Sequence, residues 1–177
     1  MTAPTNHILI DASVARSVSD PARHPTSVAC LELVRLLERK DCSTGAAITP
    51  ALQEEWKRHA SRLMVSWLAA MELRGRVRRE RDRNVSDLRA AVSAVRDDGI
   101  RSALEKDLHL SEAAMLHGLP VASHDNKQRR YLVDLVDSYG TVGRVQWFSP
   151  VSDRATEWAP WIEDGCVDPE PFRVGAP

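Results

Sequence analysis

The chain has few of the features that mark exported or membrane-bound proteins. Its 177 residues include three cysteines, an odd number that lacks both metal-ligand spacing and a disulfide framework. No apolar run is long enough to cross a bilayer. The N-terminal segment has no basic stretch followed by a long apolar run, so we expect no signal peptide. These absences favour a protein of the reducing cytoplasm with no membrane partner.

Charge and aromatic content are also unremarkable. Lys and Arg number 24 against 25 Asp and Glu, which gives a net charge of -1. Any attraction to nucleic acid must therefore come from a local patch. Aromatic residues make up 5% of the chain, so base stacking is not expected to dominate recognition of a nucleic acid. Length and composition suit a single domain over residues 1–177.

Short apolar runs alternate with helical patterns along the chain. The predicted strands are 7–10, 46–48, 119–122 and 145–148. The predicted helices are 26–40, one that starts at Thr49-Pro50, 62–83, 85–95, 107–118 and 126–138. This alternation predicts an α/β fold in three layers, with a twisted, mainly parallel sheet flanked by helices. We expect a core at about 7–150 and a tail, 151–177, that packs on the domain or extends it.

Acidic residues stand at the ends or starts of several predicted elements. Asp11 follows the first strand, Asp125 comes just past the third, Asp107 opens a helix, and Glu55 lies in the helix after Pro50. Ligands of α/β proteins bind outside the carboxyl ends of the strands. Carboxylates that converge there repel one another unless a hard divalent cation lies between them. The pattern therefore predicts a Mg²⁺ or Mn²⁺ site.

Each acid also has a simpler structural explanation. Asp11 and Asp125 could cap turns or helices, and an aspartate such as Asp107 is favoured by the dipole at a helix start. Glu54 and Glu55 are adjacent on a helix and diverge by about 100°, so one of them faces the cleft. The apolar neighbours favour Glu55, and Glu54 stays open as the alternative. The functional interpretation depends on the four acids occurring together.

Four short motifs in order resemble the PIN domain, a family of metal-dependent ribonucleases. The motifs are Asp11-x-Ser13, Thr49-Pro50-x-x-x-x-Glu55-Trp56, Asp107-x-x-Leu110-x-x-Ala113-Ala114 and Ser123-x-Asp125. The likeness covers about residues 7 to 165. It implies an endoribonuclease that hydrolyses RNA with Mg²⁺ or Mn²⁺. It also implies that the catalytic and metal-binding residues are Asp11, Glu55, Asp107 and Asp125.

The resemblance also suggests how RNA would be held. Ser13, Ser123, Arg129 and Arg130 are the expected substrate-binding residues. Six arginines between Arg74 and Arg83 could follow an RNA backbone, or they could form a solvated helix end.

The family includes the toxins of toxin–antitoxin pairs, of the VapC type, so an antitoxin is an expected partner. The stretch from about 62 to 101 is, however, longer than in the compact toxin members. A homodimer is also expected, since dimers are common in the family. The face around Val65, Leu68 and Met71 could form it, although core packing explains that face equally well.

Two other functions compete with the nuclease. The first is a non-catalytic PIN-like module that binds a protein, against which the presence of all four acids counts. The second is a phosphatase of the haloacid-dehalogenase type. The motif typical of such enzymes is a strand followed by Asp-x-Asp. In this chain, Asp11 is followed by Ala12 and Ser13.

Overall fold

The structure, a computed structural model, describes residues 6–19, 22, 24–168 and 170–175. Its strands form one sheet, in which every neighbouring pair is parallel, in the order β3-β2-β1-β4-β5. The strands are β1 (Asn6–Ile10), β2 (Thr44–Ile48), β3 (Val77–Arg79), β4 (Val121–Ala122) and β5 (Trp147–Phe148). The predicted α/β class with a parallel sheet is confirmed. Residues 1–5, on which the signal-peptide expectation depends, lie outside the described residues.

Helices connect the strands and flank the sheet. They are α1 (Ala12–Ser17), α2 (Pro25–Glu38), α3 (Pro50–His59), α4 (Arg62–Leu73), α5 (Ser86–Ser93), α6 (Asp98–Lys106), α7 (Leu108–His117), α8 (Asn126–Leu135) and α9 (Ala155–Glu163). A short 3-10 helix, Gly140–Arg144, precedes β5. Strands β1 to β3 advance in one direction and β4 and β5 in the other. Right-handed crossovers therefore put the two sets of connections on opposite faces.

The central strands are apolar because both faces of the sheet are covered. Ile8, Leu9 and Ile10 of β1 are fully buried, and every residue of β2 is buried. Parallel sheets covered by helices on both sides read as continuous apolar runs of this kind. The sequence signal for β1 and β2 was therefore strong.

Helix starts agree with the sequence in some places and differ in others. Thr49 caps α3 as predicted, its side chain accepting from the amide of Leu52, with Pro50 at the first helical position. Helix α2 begins at Pro25 rather than Thr26, because the His24 side chain accepts from the Thr26 amide and caps it. The helix α6, which the sequence reading did not include, begins after Asp97, whose side chain accepts from the amide of Ile100.

The predicted helix over 62–83 is correct as far as Leu73 and wrong beyond it. Helix α4 ends at Leu73, and Gly75 then takes a positive φ of 66° that turns the chain. The residues that follow form the edge strand β3, which pairs with β2. Arg76, at the start of this strand, is 1% exposed. Its guanidinium binds backbone carbonyls within the fold, so this part of the chain is not a solvated helix end.

The segment after Pro150 is part of the folded unit. Helix α9 buries Trp158, Trp161 and Ile162 and contacts α2. The Ser43 amide donates to the Glu163 carbonyl oxygen at 2.8 Å. The C-terminal segment therefore packs against α2 and the start of β2.

The apolar face considered for dimerisation divides into a buried part and an exposed part. Met71 is fully buried, Leu68 packs partly against the core, and Val65 is 55% exposed. Core packing thus accounts for Met71. Within the described residues, no helix is both long enough and apolar enough to span a membrane.

Candidate active site

The four predicted acids line one cavity at the carboxyl edge of the sheet. Its volume is about 180 Å³, and Asp11, Glu55, Asp107 and Asp125 all contribute to its wall. The cavity lies where the strand order reverses, beside the ends of β1 and β4. This switch point is the general ligand site of open α/β sheets. The fold thus brings together four acids, although the first and the last of them, Asp11 and Asp125, are more than a hundred positions apart in the sequence.

Asp11 is fixed to the end of the sheet by its backbone and side chain. Its amide donates to the Ala122 carbonyl oxygen at 2.9 Å. Its carboxylate Oδ2 accepts from Ser123 Oγ at 2.7 Å and also from Ser13 Oγ. Hydrogen bonds from hydroxyls compensate a carboxylate that is only 8% exposed. Ser123 is itself fully buried, so its contact is with Asp11 rather than with a substrate.

Asp125 begins α8 and also borders the cavity. Its Oδ1 accepts from the amides of Lys127 and Gln128, at 3.0 and 3.1 Å. Its own amide donates to Ser123 Oγ at 3.1 Å. The capping explanation for this acid therefore holds. Ser123, which bonds both acids, sets the position of Asp125 relative to Asp11.

The orientation of α3 determines which of the two adjacent glutamates faces the cavity. The Trp56 indole Nε1 donates to the Ile10 carbonyl oxygen at 2.9 Å, which ties α3 to the end of β1. Glu55 is half-buried and lines the cavity. Glu54 is exposed and pairs with Lys57. Glu55 is therefore the second acid of the cavity, and it stands in the middle of a helix rather than at its edge.

Asp107 lies between α6 and α7, at the capping position of α7, yet its side chain makes no capping hydrogen bond. The capping explanation thus does not account for its carboxylate. Burial, and after it the charges of Asp11, Glu55 and Asp125, raise the pKa of Asp107 to about 6, while Lys106 opposes them. Repulsion between the carboxylates thus adds to the effect of burial.

His109 provides a partial local compensation. Its Nε2 lies 3.5 Å from Glu55 Oε2, with both side chains largely buried. Burial lowers the pKa of His109, but Glu55, Asp107 and Asp11 outweigh it and raise the pKa above its ordinary value. For Glu55 the directions are reversed: burial raises its pKa, but His109 and Lys106 outweigh burial and bring the pKa below its ordinary value. The place of His109 is thus beside Glu55.

The donor set fits a hard divalent cation in its chemistry. Carboxylate oxygens are the ligands that Mg²⁺ and Mn²⁺ prefer, and the repulsion at Asp107 would be relieved by a cation. Among the described residues, however, no three His, Cys, Asp or Glu side chains are grouped so as to hold a metal as they stand. Oδ2 of Asp11 and Oδ1 of Asp125 are already hydrogen-bonded. Binding would therefore draw the carboxylates further inward.

Basic residues line the same cavity, and the sequence reasoning missed them. Arg16, His59 and Lys106 contribute to its wall and are exposed. A weak signal existed for two of them, since Lys106 precedes Asp107 and His59 lies one turn after Glu55. Only the folding of α1 over the strand end brings in Arg16. The cavity is therefore mixed in charge, with acids inside and cations at the rim.

The two arginines expected to bind substrate lie elsewhere. Arg129 is half-buried and pairs with Asp153, its Nη1 lying 2.9 Å from Oδ2. Arg130 is exposed, with Cζ 5.7 Å from the centroid of the Tyr131 ring. Neither contributes to the wall of the four-carboxylate cavity. Ser13, in contrast, does line it.

Several arginines of the 74–83 segment are engaged within the chain. Arg76 donates to the carbonyl oxygens of Leu37, Cys42 and Thr44 at 3.2, 2.7 and 2.8 Å. Arg78 pairs with Glu80, and Arg79 pairs with Glu72. These contacts hold the edge strand, although Arg74, Arg79, Arg81 and Arg83 are all exposed.

Comparison with known protein families gives no matching family model, and comparison with curated proteins gives no match.

Proposed function

We propose that the chain is a Mg²⁺- or Mn²⁺-dependent endoribonuclease of the PIN-like type, acting at the four-carboxylate cavity. The observation that carries the proposal is the convergence of four carboxylates from separate elements at the switch point of a parallel sheet. The raised pKa of Asp107, about 6, supports it, because burial and repulsion of this kind are concentrated at functional sites.

Each acid has a place in the proposed reaction. Asp11, Glu55, Asp107 and Asp125 would hold the cation, directly or through water. The bound cation supplies Lewis-acid polarisation of the phosphate and activation of water. Asp107 would keep a proton on its carboxyl below about pH 6, and cation binding would compete with that proton.

The supporting residues fix the geometry of these acids. Ser13 and Ser123 hold the carboxylate of Asp11 in one orientation, and the indole of Trp56 fixes the helix that carries Glu55. Orientation of this kind is what in-line attack on a phosphate requires.

The cations at the rim support a phosphodiester substrate. Acids alone would repel a polyanion, and the charges of Arg16 and Lys106 offset that repulsion at the mouth of the cavity. A guanidinium such as that of Arg16 binds phosphate oxygens in a bidentate manner. We infer that these two residues, rather than Arg129 and Arg130, position the phosphate.

The choice of RNA over DNA comes from the resemblance to the PIN domain. What favours the nuclease over the phosphatase is that Asp11 is followed by Ala12 and Ser13 rather than by the second aspartate of an Asp-x-Asp motif. The resemblance alone carries the further expectations of a toxin role, an antitoxin partner and a homodimer.

The test is cleavage of labelled single-stranded RNA by the purified protein. We expect cleavage with Mg²⁺ or Mn²⁺, none with a chelator, and a loss of roughly 100-fold or more in Asp11→Asn and Asp107→Asn. Asp134→Asn is the matched control, because Asp134 is an exposed acid of α8 that does not line the cavity. Circular dichroism would verify that each variant is folded. If both site variants cut as fast as wild type, the cavity is not the active site.

A further inference from the structure

A second cavity, of about 160 Å³, lies next to the four-carboxylate cavity. His109 lines it and also contacts Glu55. Ala51 lines it too, and stands one turn before Glu55 on the same face of α3, which corresponds to about 6 Å along the helix axis. The second cavity is therefore the neighbour of the proposed cleavage site in the groove between α3 and α7.

Part of its wall is fixed by internal contacts. Arg89 makes a bidentate pair with the buried Glu112, at 2.6 and 2.7 Å. Asp82 accepts from the Ala51 amide at 2.9 Å. The Arg89–Glu112 pair neutralises two charges of the wall, and both contacts hold the connection between β3 and α5 against α3 and α7.

The remaining polar groups are available to a ligand. Arg83 and Asn84 line the cavity and are exposed. Within the described part of the chain, no hydrogen bond or ion pair engages either side chain. Arg83 presents a planar guanidinium, and Asn84 presents one donor group and one acceptor. The cavity thus offers free hydrogen-bonding groups beside fixed polar walls.

This chemistry suits a flat, polar and uncharged ligand. The carboxylates of Asp82 and Glu112 offset the guanidinium groups of Arg83 and Arg89, so the wall has no excess of positive charge that would favour a phosphate. A nucleobase is uncharged, its edge pairs with amide groups such as that of Asn84, and its face stacks on guanidinium or imidazole planes such as those of Arg83 and His109. The cavity volume of about 160 Å³ suits a ligand no larger than a single base.

We propose that this second cavity binds one unpaired nucleobase next to the scissile phosphate, with Asn84 contacting its edge and Arg83 covering its face. The inference rests on the proposed nuclease function and gives it a specificity. Because a base inside a duplex cannot leave its stack without loss of pairing, the substrate must be single-stranded at that nucleotide.

The test maps cleavage sites on a randomised single-stranded RNA pool with Mn²⁺. Wild type should prefer one base at a fixed position beside the cut, and Asn84→Ala and Arg83→Ala should each weaken that preference about tenfold. The matched controls are Arg81→Ala, in the same connection, and Ser86→Ala, at the first position of α5; both residues are exposed and do not line the cavity. They should retain the wild-type preference. A fully paired RNA of the preferred sequence should be cut at least about tenfold more slowly.

The outcomes separate this inference from the function on which it rests. Cleavage by wild type with no positional preference, or an unchanged preference in both cavity variants, would overturn the base site and leave the nuclease standing. An equal loss of base preference in the cavity variants and in the controls would also overturn the base site, because any substitution in this region would then have the same effect. Failure of wild type to cut any RNA with either cation would overturn both.

Discussion

Among single residues, Asp107 is an acid whose charged form its surroundings disfavour. It caps α7 by position only, without a side-chain hydrogen bond, and burial together with neighbouring carboxylates raises its pKa to about 6. A raised pKa of this kind is what the proposed cation site would produce in one of its ligands before the cation binds.

The raised pKa of Asp107 predicts how stability depends on pH. The folded state binds this proton more tightly than the unfolded state, so the contribution to stability is full below about pH 4 and is lost as pH rises through about 6. Asp107→Asn should therefore increase the free energy of unfolding by about 1–3 kcal/mol at pH 7.5 in chelator. The increase should vanish near pH 4.

Urea unfolding at the two pH values measures this difference. Asp134→Asn, which removes an exposed acid that does not line the cavity, should change stability at neither pH. A less stable Asp107→Asn variant at pH 7.5 would mean that the carboxylate is held by favourable contacts instead of being repelled.

The sequence identified the acids better than their surroundings. Asp11 and Asp125 follow apolar strands, so parallel pairing alone brings them to one edge of the sheet. Arg16 could not be recognised, because its position depends on how α1 folds over the end of β1. The partner of Arg129 could not be recognised either, since Asp153 lies 24 positions away in an irregular segment. Local patterns fix element ends, whereas side-chain partners depend on tertiary contacts.

At the scale of elements, the edge strand β3 is where the sequence was most misleading. In the sequence, the arginine-rich run continues the helical pattern of α4. A strand of three residues is too short to show a periodicity of its own. A buried arginine cannot be distinguished from a solvated one by sequence. Arg76 is what holds this strand, since its guanidinium bonds three carbonyl groups around the end of α2 and the start of β2.

Arg76→Ala should therefore destabilise the protein strongly. Removal of the guanidinium leaves buried carbonyls without donors and an empty space, which together should lower the free energy of unfolding by about 3 kcal/mol or more. Arg74→Ala is the control in the same segment. Its side chain is 42% exposed and lies 3.9 Å from Glu38, so the loss should be under about 0.5 kcal/mol.

Urea unfolding followed by tryptophan fluorescence compares the two arginine variants. An Arg76→Ala chain too unstable to fold would agree with the account. Equal, small losses in both variants would show that Arg76 is not a structural residue and would return it to the candidates for RNA contact.

At the scale of the whole molecule, the alternation of strand and helix predicted the fold class but not the complete strand order. That order requires β3, which the sequence did not reveal, and it places β1 at the centre with its neighbours β2 and β4. The C-terminal segment was the other uncertain part. Its helix α9 contributes Trp158 and Trp161 to the core, a role that depends on long-range packing and has no local signature.

The charge of the four-carboxylate cavity is only partly balanced by the chain itself. Four elements deliver carboxylates to one cavity, and the chain offsets their repulsion only in part, through His109 and Lys106. A divalent cation would complete the balance and would stabilise the folded state in proportion to its affinity.

Calorimetric titration of Mn²⁺ into the chelator-free protein at pH 7.5 tests this claim most directly, because it needs neither RNA nor turnover. Wild type and the control Asp134→Asn should bind the ion saturably and with equal affinity. Glu55→Gln and Asp107→Asn should each weaken binding about tenfold or more. The same affinity in all four proteins, or no binding by wild type, would contradict the assignment of the cavity as a metal site.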